Sequence, residues 1–189
     1  FRYLENARST TSSNKMKQMI TYEQLALNAD LDKKLNLKKW LQCIAYFNKY
    51  EMTVMESQAH YVLALQLIKH ENMADAVSHL DQAHEMAALH GYQYLHRSID
   101  YIRGILLVNQ NRSKEAIGYY QGLLKKVKNA HFTAKIQSKL AELYHIVGDA
   151  DKALEAAKAS MEVSQQFSIA SELAGACLLL GKIYHREVA

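Results

Sequence analysis

Residues 131–161 read HFTAKIQSKLAELYHIVGDADKALEAAKASM. In this stretch Leu140, Ala141 and Tyr144 fall on one face of a 3.6-residue period, and Gly148-Asp149 then interrupts it. Ala153 opens a second period at a fixed offset. The reading is two helices joined by a tight turn, with small and large apolar residues set to interlock.

The same signs recur outward. Aligned on the alanine that opens each second helix, Ala76, Ala116 and Ala153 are spaced 40 and 37 residues apart. Leu180, Gly181 and Tyr184 repeat Leu140, Ala141 and Tyr144 at an offset of 40. Small residues in the first helices (Ala64, Gly104, Ala141, Gly181) would let a partner helix approach closely. Leu67, Leu107, Tyr144 and Tyr184 would fill the space between helices, and Leu80, Tyr120 and Ala157 the matching second-helix slot. Arg103 stands where an apolar residue is expected, and Glu71 stands where the first turn would hold glycine.

This pattern resembles the tetratricopeptide repeat, over about two-thirds of the chain and best over residues 134–161. The family's basic unit is 34 residues, so here either the helices are about one turn longer or the linkers are. The resemblance implies an all-α, right-handed superhelix of antiparallel helix pairs, a tetratricopeptide-like α-solenoid. Such a unit cannot bury its apolar face alone, and stacking produces an extended surface for a partner.

The expected organisation is an N-terminal linker at 1–14, with Asn14 as helix cap, and a divergent helical pair or cap at 15–56. Repeats follow at about 57–96, 97–133, 134–173 and an incomplete 174–189. Helices are expected from Lys15 to about Ala29 and from about Leu31 to Tyr50. The last first-helix lacks a second, which leads to the expectation that the native protein continues beyond Ala189.

Composition agrees with an all-α chain. Proline is absent and glycine numbers seven among 189 residues, few turn formers for a β-rich fold. The net charge of +4 sits mostly N-terminally, too little for a nucleic-acid footprint. No apolar run approaches the length of a membrane span. Cys43 and Cys177 have no metal or redox spacing, and both are expected to be buried thiols. A cytoplasmic setting is favoured and a periplasmic one stays open.

Residues that could carry chemistry are sparse. No pair among the nine histidines has the three- or four-residue spacing that puts two imidazoles on one helical face, so no metal site and no cofactor is expected. His84-Glu85 begins a zinc-protease motif that Leu89 ends. No phosphate-binding glycine loop or nucleophile elbow occurs, and no catalytic residue is assigned. Asn111-Arg112-Ser113 matches a glycosylation sequon at a turn, a match that short motifs make by chance.

In the family, first helices line the concave face. By that analogy the ligand-facing residues are Tyr61 and Leu65, then Tyr101, Ile105 and Asn109, then Lys135, Glu142 and His145, and last Lys182 and Arg186, with Gln58, Ser98, Ser138 and His185 beside them. The cations gather toward the end, which suits a peptide with an apolar segment and an acidic end. The family's carboxylate clamp is incomplete, because its asparagines are not in place.

The long units resemble the sensor or regulatory regions of larger bacterial signalling proteins, in which a bound peptide reshapes the superhelix. The expected function is therefore non-catalytic protein or peptide binding. One alternative is self-association through residues 178–184, giving a homodimer. Another is nucleic-acid or acidic-partner binding through Lys33, Lys34, Lys38 and Lys39, although no nucleic acid is the expected partner.

Overall fold

The computed structural model describes residues 13–30 and 35–188, the side chains of 29, 30 and 185–188 excepted. The linker residues 1–12, Leu31, Lys33, Lys34, Ala189 and the side chains of His185 and Arg186 lie outside the described set.

Six turns between helices share one backbone device. In each, a central residue takes a left-handed conformation: Glu51, Glu71, Gly91, Asn111, Gly148 and Ser168, with φ between 53° and 84°. The next N–H reaches back to a carbonyl five residues earlier. Asn72 donates to Leu67 at 2.9 Å, Arg112 to Leu107 at 2.9 Å, and Asp149 to Tyr144 at 2.9 Å. A second bond, such as Glu71 N–H to Ile68 O at 3.1 Å, completes a Schellman turn. In two of these turns the residue after the left-handed one also caps the next helix. The side chains of Asn72 and Asp149 accept from Asp75 N–H and Lys152 N–H, satisfying donors the helix start leaves free. The chain is thereby reversed within two or three residues, which makes consecutive helices antiparallel.

Among the described residues there are nine helices and no strand: α1 Asn14–Asp30, α2 Leu37–Lys49, α3 Thr53–Lys69, α4 Met73–Leu89, α5 Gln93–Asn109, α6 Ser113–Lys126, α7 Ala130–Val147, α8 Ala150–Gln166 and α9 Ala170–Val188. The extra length of the repeat resides in the helices. The 17-residue α3, α4 and α5 are separated by three-residue turns. The 37-residue spacing has a local cause. α6 has only 14 residues and ends at Val127 in extended conformation, not in a left-handed turn. Asn129 then caps α7, its side chain accepting from Phe132 N–H at 3.1 Å. Asn14 is the first residue of α1 rather than its cap. Ser13 supplies the hydroxyl that accepts from Met16 N–H.

The chain divides into two compact units, residues 1–99 and 100–189. The first is centred on Trp40, which is fully buried. Tyr22 meets both Trp40 and Phe47 edge-on, at 5.9 and 5.8 Å between ring centroids. Cys43, Ile44, Leu63 and Leu67 close around them. α4 buries Ala76, Leu80, Ala83 and Ala87, a stripe at four- and three-residue spacing. Three of those four are alanine, which lets α3 approach closely. Full burial of Leu63, Leu67 and Leu80 contributes about 2 kcal/mol each.

In the second unit α7 buries Ile136, Leu140, Ala141, Leu143 and Tyr144 against the alanine face of α8, Ala153, Ala156 and Ala157. Ser160 sits in that contact and donates to Ala134 O at 2.9 Å. Leu179 and Ile183 of α9 complete the core. Ala141, Ala153, Tyr120 and Ala157 fill the slots the repeat assigns them, all fully buried. Gly181 does not. A Cβ there would meet nothing within 4 Å, and Tyr184 is 46% exposed. Cys177 is likewise exposed, against expectation, because α9 turns only its Ala176, Leu179 and Ile183 side inward.

Candidate functional site

α7 has two faces of opposite character. Ile136, Leu140, Leu143 and Tyr144 are buried, while Lys135, Ser138, Lys139, Glu142 and His145 are only partly covered. Spacings of three, four and seven residues place the second set on one stripe. The stripe is chemically mixed. Lys139 and Glu142 form an ion pair. Lys135 Nζ lies 4.6 Å above the centre of the Tyr101 ring, a cation–π contact. His131 begins the same stripe, and its Nδ1 is buried without a hydrogen-bond partner.

Tyr101 is more deeply buried than a ligand-lining tyrosine would be, at 8% exposed. Its backbone carbonyl accepts from the Tyr120 hydroxyl at 2.8 Å, and the two rings lie 5.6 Å apart. Burial, and then the carboxylates of Glu142 and Glu172, push its phenol pKa up. Tyr101 is thus a neutral floor beneath Lys135. The second unit therefore brings Tyr101, Lys135 and Glu142 together and places His145 on the same stripe. Ile105 packs against the core, Asn109 is exposed, and Lys182 is exposed on α9.

In the first unit Tyr61 and Leu65 are half-buried, one turn apart on α3. The Tyr61 phenol is raised by burial and by Tyr94, an effect opposed by its hydrogen bond with Ser98. Lys38 and Lys39 are exposed on α2.

The second unit also holds a cleft of about 330 Å³ that the sequence does not announce. Its apolar floor includes Leu124, Leu140 and Ala156, and Gln121, Gln137 and Lys152 stand at its edge. Gln121 donates to the Tyr144 hydroxyl at 2.8 Å. The residues come from α6, α7 and α8, so no local spacing marks them.

The histidines depart most from expectation. His60 is buried at 5% exposure. Its Nδ1 lies 2.8 Å from Nδ1 of His79. His84 and His96 face each other at 4.1 Å between ring centroids. Both pairs form across a turn, between residues 19 and 12 apart, where a search along one helical face cannot find them. A ligand nitrogen of His84 and one of His96 come within 4.8 Å of each other. His96 lines a cleft of about 340 Å³ with Ala87, Gly91 and Arg97.

No helix among the described residues is long and apolar enough to cross a membrane.

No protein-family model matches the chain, and no curated protein does. Solved structures do. The chain is similar to aspartyl phosphate phosphatase F from Bacillus subtilis, with a TM-score of 0.82 at 17% identity over 94% of this chain and 49% of that one. It therefore spans about half the length of that protein. It is also similar to BtubC (BKLC) from P. vanneervenii, with a TM-score of 0.71 at 18% identity over 97% of this chain and 80% of that one. At such identities the likeness shows the fold, and that fold is an all-α helical repeat.

Proposed function

We propose that the chain is a non-catalytic protein- or peptide-binding scaffold, the sensor or regulatory region of a larger bacterial signalling protein. One observation carries this reading: the partly covered stripe of α7. Its polar row lies apart from the buried apolar face that holds the helix in place, and it offers cations, an anion, a hydroxyl and an imidazole in register. A peptide laid along it would find a partner for backbone and side-chain groups alike. The likeness to aspartyl phosphate phosphatase F from Bacillus subtilis is in keeping with a regulatory setting.

The test is to pan a random peptide library against the whole chain and against a Lys135→Glu, Glu142→Lys variant. The expected result is a consensus enriched by the native chain and lost by the variant. Enrichment of the same peptides by both proteins would remove the stripe as the site.

A second reading rests on α9. Leu178 is 64% exposed, and Cys177, Gly181 and Tyr184 share its uncovered side. A two-fold contact there would make a dimer. Light scattering across a dilution series of the native chain and a Leu178→Asp variant decides it. A dimer lost in the variant supports this reading, and a monomer in both cases ends it.

A further inference from the structure

We propose that His60 and His79 form a pH-sensitive latch in the α3–α4 hairpin, closed while at least one ring is neutral and released when acid protonates both. The geometry requires a particular proton inventory. A hydrogen bond between two Nδ1 atoms 2.8 Å apart needs one ring to donate and the other to accept. The neutral pair meets this with opposite tautomers. With both rings protonated, two N–H groups face each other and two like charges lie in one contact. The rings are 5.0 Å apart between centroids, one from each helix, so the repulsion acts directly across the hairpin.

The surroundings fix the direction. Burial and then His79 push the His60 pKa down to about 4. Burial also lowers His79, while Asp75, one turn earlier on α4, pulls the other way. His79 is thus the ring that accepts a proton first, and its charge then opposes protonation of His60. On the α2 side, the Glu56 carboxylate, one turn before His60, is occupied by Asn48 at 2.9 Å. Asp75 is itself held by Asn72 at 2.7 Å.

The sign follows. A histidine freed from the contact titrates near 6.5, above its value in the closed hairpin. The open form therefore binds more protons, and the closed form loses stability as pH falls below 6.5. Between pH 7 and pH 5 the opening equilibrium should rise on the order of tenfold or more. Tyr61 and Leu65 lie on the same helix as His60, so release would alter the face they present. That consequence rests on the peptide-binding reading; the latch does not.

The experiment follows the imidazole nitrogens of the whole chain by NMR from pH 7.5 to 4.5, with amide exchange in α3 and α4 over the same range, corrected for intrinsic rates. The latch requires His60 to stay neutral below pH 5 and the protection of α3 and α4 to fall about tenfold between pH 7 and 5. In a His60→Gln, His79→Gln variant this fall should be absent. A His60 that titrates near 6.5 overturns the proposal, as does an undiminished fall in the variant. If the variant does not fold, the titration of His60 in the native chain decides alone.

Discussion

Gly104 and Tyr120 occupy one another's space: a Cβ on Gly104 would lie 2.3 Å from Cζ of Tyr120, inside any permissible contact. Tyr120 cannot yield, because its ring is fully buried and its hydroxyl is tied to the Tyr101 carbonyl. Gly104→Ala should therefore destabilise the chain by about 2–3 kcal/mol, the usual effect of overpacking a rigid core. Gly104→Ala combined with Tyr120→Leu should lose clearly less than the sum of the two single changes, because the shorter side chain vacates the disputed volume. Urea denaturation of the four proteins measures the coupling. Strict additivity would contradict the close approach.

The left-handed turn residues give a second expectation. Glu71 and Asn111 both have φ of 60°, a conformation that L side chains other than asparagine and aspartate avoid. Glu71→Gly should raise stability by about 0.5–1 kcal/mol, and Asn111→Gly by less. Gly148→Ala, at φ 84°, should lower it by about 1 kcal/mol. Thermal unfolding with matched far-ultraviolet spectra distinguishes these small effects from rearrangement.

The only tryptophan reports on the first unit. Trp40 is fully buried, and its Nε1 donates to Gln66 Oε1 at 2.6 Å. Its emission should lie well to the blue of exposed indole. Gln66→Leu should strand the indole N–H and lower stability by about 1–3 kcal/mol. An unchanged midpoint would mean that the indole finds another acceptor.

The sequence disclosed the helix pairs because their signs are local: the alanines at 76, 116 and 153, and Gly148 at a helix end. It did not disclose that Glu71 and Ser168 adopt the same turn as Gly148. The backbone hydrogen bonds that build a Schellman turn leave little trace when the residue is not glycine. The α1–α2 pair was legible as helical, but Leu35 and Asn36 precede α2 because the Asn36 side chain caps it at Lys39 N–H. The candidate site was legible in part. Helical periodicity places Lys135, Glu142 and His145 on one stripe. The burial of Tyr101 depends on Tyr120, 19 residues away, and so do the histidine pairs depend on residues across a turn.

Amide shift mapping shows whether the polar stripe of α7 receives a peptide. A peptide enriched by panning would be titrated into the isotopically labelled chain. A peptide on the stripe should give the largest perturbations at His131, Lys135, Ser138, Lys139, Glu142 and His145. Perturbations centred instead on Lys152, Glu155 and Ala159 of α8, or none at saturating peptide, would contradict it.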